Sequence, residues 1–245
     1  MRNPRNAARQ QPTAPASAHP RNPIPGDIRT REIPTQKKSK RANINIATLN
    51  MNGFKANGMT NLEKWSRVNK MLNQHKIAIL ALQETHLDQE RTDAIHSAFG
   101  KKMDLIYSPL PDNPRASAGV AFVINKALIA PRKVTTHELH AGRALWIKVD
   151  WLDEESTVIL NVYAPNERTQ HADFWEKIET KRRNRRLPVP HFLLGDFNVT
   201  EDPLDRMPPR LDDQNAIEAL RDVRLAWAVA DLLEVCSGHP VVSQR

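Results

Sequence analysis

The sequence predicts an α/β chain, a two-layer sandwich of mixed β-sheets with helices on the outside. Three observations carry that reading. Strand-like runs outnumber helical ones. Four of them, Gly119–Ile124, Val134–Leu139, Ala144–Val149 and Thr157–Val162, follow one another with no helix between, so they pair without crossovers. Ile77–Leu82 is a continuous apolar run, the pattern of a strand buried on both faces.

The elements follow in order. Asn43–Leu49 alternates isoleucine with small polar residues and reads as a first strand. Leu62, Trp65, Val68, Met71 and Leu72 repeat at helical spacing, which predicts a helix over Asn61–His75. After Ile77–Leu82 comes a short helix around Arg91–Phe99 and a strand at Met103–Tyr107. The four-strand run follows, then a helix over Phe174–Lys181 and a buried strand at His191–Leu194. From Gly195 to Asp213 the polar, proline-containing chain reads as a long loop, and Ile217–Leu220 and Ala226–Val235 read as helices.

Charge divides the chain unevenly. Residues Met1 to Ala42 hold ten Lys/Arg against two Asp/Glu, and Asn43 to Arg245 hold 26 against 26. The formal charge of +8 therefore sits in the N-terminal stretch, which also has seven of the 18 prolines. With so little apolar surface to bury, 1–42 is expected to be a disordered basic tail, and 43–245 the folded domain. Lys37-Lys38-Ser39-Lys40-Arg41 is either a solvated linker or a patch that contacts phosphates or directs nuclear import. The expected location is accordingly intracellular and nuclear.

Several classes are excluded. One cysteine, Cys236, allows no intramolecular disulfide and no cysteine-based zinc site. No apolar stretch reaches the ~18 residues of a membrane span. The sequence has no glycine-rich phosphate loop, so no nucleotide or other small-molecule cofactor is expected.

Four polar strings stand at the ends of apolar runs: Thr48-Leu49-Asn50-Met51-Asn52-Gly53, Gln83-Glu84-Thr85, Asn161-Val162-Tyr163-Ala164-Pro165-Asn166 and Gly195-Asp196-Phe197-Asn198. A sheet that brings Asn, Glu, Tyr and Asp to one edge builds an oxygen-rich pocket, which suits a hard divalent cation and a phosphate ester. Asp196 and Asn198, two apart on an extended segment, share a face. Taken singly each string has a plain alternative: Asn52-Gly53 is a turn dipeptide, Tyr163 a half-buried packing residue, Glu84 a loop residue. Lys181-Arg182-Arg183-Asn184-Arg185-Arg186 is either a DNA-binding patch or a solvated helix end. Arg115 and Arg143 are further candidates for DNA contact.

In this order the four strings resemble the endonuclease/exonuclease/phosphatase superfamily, with its DNase I-like fold, and their wording is nearest to the endonuclease module of LINE-type retrotransposons. The resemblance covers about Ile44 to Pro240. It implies Mg²⁺, with Mn²⁺ as a substitute, and DNA as partner. Glu84 resembles the principal metal ligand, and Asn50 supports the metal by binding nearby carboxylates or through water. Asn52 stands where repair-type members often carry Asp. Tyr163 and Asn166 would contact phosphoryl oxygens. Asp196 would orient or deprotonate the attacking water, and Asn198 would bind the scissile phosphate or the metal shell.

The family's Ser-Asp-His string does not occur, and the last histidine is His239. The expectation is therefore an endonuclease domain with an incomplete second sheet and weak or no activity. Its alternatives are an abasic-site nuclease, exonuclease or phosphatase of the same fold, and a catalytically dead nucleic-acid-binding or vestigial fragment.

Overall fold

The computed structural model describes residues 44–53, 60–130, 133–151, 155–200, 204, 208–209, 211–228 and 241–243. The chain divides into two units, Met1–Arg41 and Ala42–Arg245. The first unit, with the basic tail expected to lack structure, lies outside the described residues, as do Cys236 and His239.

Nine strands and four α-helices are described: β1 (Asn45–Asn50), α1 (Asn61–Gln74), β2 (Ile77–Gln83), α2 (Gln89–Phe99), β3 (Met103–Ser108), β4 (Val120–Asn125), β5 (Lys133–His140), β6 (Ala144–Asp150), β7 (Ser156–Tyr163), α3 (His171–Asn184), β8 (Phe192–Asp196), α4 (Gln214–Trp227) and β9 (Val241–Ser243). One sheet has the order β3-β4-β2-β1-β9 and the other β5-β6-β7-β8. Each is mixed. β1 and β2 run parallel, as do β7 and β8, and every other pairing is antiparallel.

Strand alternation sorts the side chains into layers. On β7, Ile159 and Tyr163 face the other sheet, and with Ile147 and Leu194 of their own sheet they form a core with Ile79 and Phe122 of the facing one. Val158, Leu160 and Val162 face α3 and α4, against Phe174, Trp175, Ile217 and Leu220. Leu80 and Leu82 of β2 turn the opposite way, toward Trp65, Val68 and Leu72 of α1. The result is helices, sheet, sheet, helices. α1 begins with a capping box: Thr60 Oγ1 accepts from Glu63 N, and Glu63 Oε2 accepts from Thr60 N at 2.7 Å.

Two expectations need correction. The helix expected at Ile217–Leu220 is longer, over Gln214–Trp227, where Asp213 caps it and the left-handed Ala228 ends it, and most of the helix expected at Ala226–Val235 lies outside the described residues. β9 was not anticipated, because three residues are too few for a readable period. It pairs antiparallel with β1 through Ile46–Ser243, Ala47–Val242 and Thr48–Val241, and so covers β1's outer edge. Among the described residues no helix is long and apolar enough to cross a membrane.

Candidate active site

The two parallel strand pairs end together. In one sheet the β1–β2 register closes on Asn50 opposite Gln83, and in the other β7–β8 closes on Tyr163 opposite Asp196. β1 and β2 pack against β7 and β8, so the four polar strings meet where the sheets face each other.

The centre is an amide between two carboxylates. Asn50 Nδ2 donates to Glu84 Oε1 at 2.9 Å and to Asp196 Oδ2 at 2.8 Å. Its Oδ1 accepts from the Asn52 backbone N–H at 2.8 Å, which fixes the amide's orientation. The Tyr163 hydroxyl lies against the same cluster, close to Glu84 and to the Asn166 side chain. Burial, followed by the Glu84 and Asp196 charges, pushes the phenol up to about 12, so it is a donor at neutral pH.

Backbone strain concentrates here. Asn52 (φ 49°), Glu84 (φ 49°) and Asn198 (φ 52°) all adopt the left-handed conformation, which asparagine tolerates but which costs Glu84 roughly 1–3 kcal/mol and persists there only because the surroundings impose it. At Glu84 the turn breaks the regular alternation of β2 and swings the carboxylate toward Asn50. The supporting bonds are Met51 N to Gln83 O, Gly53 N to Glu84 O, and Thr85 N to Gly119 O. Gly195 is obligatory for a different reason: at φ 138° a Cβ would stand 1.9 Å from Val162 O on the neighbouring strand.

Beneath the site lies a buried polar network. Gln83 Nε2 donates to Asn161 Oδ1 at 2.6 Å and to Thr48 Oγ1 at 3.0 Å. Asn161, fully buried, donates in turn to Leu82 O and Ala121 O, each at 2.9 Å. These bonds tie β7 to the facing sheet two residues before Tyr163 and one before Glu84. Asn198 completes the frame: its N–H donates to Asp196 Oδ1 at 3.0 Å and its Nδ2 to Ala164 O at 2.8 Å.

The residues singled out from sequence therefore separate into two groups. Asn50, Asn52, Glu84, Tyr163, Asn166, Asp196 and Asn198 come together. The basic run does not join them. α3 starts at His171, whose ring Nε2 lies 2.8 Å from Pro165 O, and then runs for 14 residues, about 21 Å, away from that point. Its far end rests on β5, where Arg185 donates to Glu138 O. Arg182 and Arg183 are both bonded to Glu179, and Arg182 also caps Leu187 O. Among the described residues Lys181 and Arg186 have no such side-chain bonds. Arg115 binds Asp88 and Glu90.

Three contributors were not anticipated. Gln83 and Asn161 stand inside the quoted strings but read as strand residues, and only their burial reveals the network. Lys64 of α1 donates to Met51 O and Gly53 O; nothing in the sequence separates it from other helix-surface lysines. Arg143, by contrast, was a candidate for DNA contact, and here it braces Tyr163. Its guanidinium lies 5.2 Å from the ring centroid, and Nη1 donates to Tyr163 O and Ala164 O at 3.2 and 3.3 Å.

Residues 47–230 match the family described as endonuclease/exonuclease/phosphatase. The chain belongs to that family. Its fold superposes on an AP endonuclease from Archaeoglobus fulgidus with TM-score 0.53 at 18% identity, over 75% of this chain and 70% of the other. An AP endonuclease from Leishmania major gives 0.57 at 16% identity, over 75% and 66%. An endonuclease/exonuclease/phosphatase family protein from Bacteroides thetaiotaomicron gives 0.48 at 16%, over 66% and 65%. The chain thus spans about two thirds of the length of these proteins. No curated protein matches it significantly.

The donor set fits a particular kind of metal. Among the described residues no three His, Cys, Asp or Glu side chains converge on one point. The cluster, among the described residues, offers two carboxylates and amide oxygens. Mg²⁺ is held in this way, by one or two carboxylates, with water and substrate phosphate completing its shell. The residues fit a loosely held hard cation.

Proposed function

We propose that this protein is a Mg²⁺-dependent phosphodiesterase that nicks DNA, of the retrotransposon endonuclease type, and that it does so weakly for want of a Ser-Asp-His string. The observation that supports it most is the Asn50 amide holding the Glu84 and Asp196 carboxylates side by side at the end of two parallel strand pairs. Two acidic groups so close repel each other unless a cation joins them, and a phosphodiester brings its own negative charge to the same place.

Each side chain has a task in that chemistry. Glu84 would hold the cation, and Asn50 fixes the carboxylate's orientation. A bound Mg²⁺ supplies charge neutralisation at the phosphoryl oxygens. Asp196, fixed by Asn50 and the Asn198 N–H, accepts a proton from the attacking water. Tyr163, kept protonated by burial and two acidic neighbours, donates to a non-bridging phosphoryl oxygen as negative charge develops there. Asn166, close to the Tyr163 hydroxyl, offers a second amide donor. Mn²⁺ replaces Mg²⁺ in an oxygen-donor site of this sort.

Asn52, where repair-type members carry Asp, favours an intact strand over an abasic site. The assay compares supercoiled plasmid with an oligonucleotide bearing one abasic site, in Mg²⁺ and in EDTA. Mg²⁺-dependent relaxed circles whose nicks end in 3′-hydroxyl groups, with no preference for the abasic site, are the expected result. Cleavage confined to the abasic oligonucleotide would replace the proposal with a repair-type activity. Binding of DNA with no cleavage in Mg²⁺ would leave a nucleic-acid-binding protein.

A further inference from the structure

The turn that carries Asn50 and Asn52 is clamped from two sides. On the β2 side, Met51 N and Gly53 N donate to Gln83 O and Glu84 O at 2.9 and 3.0 Å. On the other side, Lys64 reaches from α1 and gives Nζ hydrogens to the carbonyl oxygens of the same two residues, Met51 and Gly53. The turn contains two consecutive left-handed residues, Asn52 at φ 49° and Gly53 at φ 56°. Asparagine and glycine both tolerate that conformation, and the clamp holds the turn in one place against β2 and α1.

We propose that Lys64 is a positioning residue for the acidic pair. By binding the Met51 and Gly53 carbonyls it fixes the Asn52 N–H that orients the Asn50 amide, and this amide sets Glu84 and Asp196 for a divalent cation. The chain of contacts is continuous: Lys64 to the turn, Asn52 N to Asn50 Oδ1, Asn50 Nδ2 to both carboxylates. A water molecule could satisfy the two carbonyls, but it would not tie them to a helix. The ammonium does both, and it stands near enough to Glu84 for the carboxylate's charge to oppose the effect of burial on the amine.

The inference rests on the metal-dependent reading above, and the two are separable by experiment. A purely electrostatic lysine makes the opposite prediction from a positioning one. Removing a nearby positive charge should tighten cation binding, whereas releasing the turn should weaken it.

The test is Mn²⁺ binding to the full chain, measured by titration calorimetry, in wild type, Lys64→Met, Lys64→Arg and Glu84→Gln, with thermal melts to establish folding. The expected result is that Lys64→Met weakens Mn²⁺ binding about tenfold or more, as loss of a group that orients metal ligands does. Lys64→Arg, which keeps a cation with several donors, is expected to stay within about threefold, and Glu84→Gln to abolish binding. Lys64→Gln, with one N–H₂ group on a side chain of similar course, reads the same quantity should Lys64→Met fail to fold. Unchanged or tighter Mn²⁺ binding in a folded Lys64→Met or Lys64→Gln protein overturns the positioning role. If wild type itself binds no Mn²⁺, the metal-dependent reading falls and this proposal with it. Wild-type binding that Glu84→Gln abolishes and Lys64→Met leaves intact sinks the Lys64 role alone.

Discussion

Asn50 and Asp196 stand 146 positions apart in sequence and 2.8 Å apart in space, amide nitrogen to carboxylate oxygen. The same nitrogen reaches Glu84 Oε1 at 2.9 Å. One neutral side chain thus holds an acidic residue from each sheet at a common distance. It does so without adding charge, which leaves the pair's negative potential available to a cation.

Asn50→Ala removes the bridge and keeps the strand. DNA nicking in Mg²⁺ is expected to fall by roughly 10²-fold or more, since a displaced ligand costs rate through misplacement as well as affinity. Asn50→Asp is expected to be at least as damaging, because it sets a third carboxylate against two. Nicking rates at saturating Mg²⁺ check both, with circular dichroism to show that the fold survives.

Tyr163 gives a pH signature. Its phenol is raised to about 12 by burial and by the Glu84 and Asp196 charges. A group whose folded value lies above its unfolded one stabilises below the unfolded value and loses that contribution as pH rises through the folded one. Stability should therefore decline from about pH 10 toward 12, and Tyr163→Phe should remove that part of the decline. Absorbance titration of tyrosinate should show one late step in wild type that is missing in the variant. Nicking by Tyr163→Phe should drop by about 10²-fold, the usual cost of one lost oxyanion donor.

Glu179 joins the two outer helices of the second sheet. Arg182 donates to it, burial opposes, and Arg183 and Trp227 Nε1 add further donors, so its carboxyl is lowered to about 2. This contribution is present above the ordinary value near 4.5 and is lost as pH falls toward 2. Glu179→Gln is expected to cost about 2 kcal/mol at pH 7 and less as the pH approaches 2. Urea unfolding at several pH values checks it, with nicking by the folded variant unchanged.

The basic run should matter little to cleavage. Lys181→Gln with Arg186→Gln is expected to leave the nicking rate within about twofold, because Lys181 already lies about 15 Å along α3 from His171, the end that meets Pro165, and Arg186 lies farther. Arg182→Ala, in contrast, should destabilise by freeing Glu179 and Leu187 O. A large fall in nicking by the double variant, with a shallower salt dependence, would show that DNA wraps to this end of the helix.

Most of the layer structure was legible because burial on one or both faces writes itself into apolar periodicity. Ile77–Leu82 and Thr157–Val162 announced strands in this way, and Trp65, Val68 and Leu72 a helix. The site was legible because strand ends place their side chains at predictable edges, so Asn50, Glu84, Tyr163 and Asp196 could be read as neighbours before their distances were known. What sequence did not carry was any contact decided by tertiary packing. Lys64 spends its charge on two carbonyls, Arg182 on Glu179, and Asn161 joins the sheets from the middle of an apolar run. β9 is three residues paired to β1, with no pattern of its own.

The most direct test of the central claim is a double-mutant cycle on plasmid nicking, with Glu84→Ala, Asp196→Ala and the two combined, in Mg²⁺ and in EDTA. If the two carboxylates form one metal-dependent centre, wild type nicks only with Mg²⁺. Each single change then costs about 10³-fold, and the double is scarcely worse than either single, as expected of groups that act as a unit. Nicking in EDTA, or nicking that survives both substitutions, would contradict it.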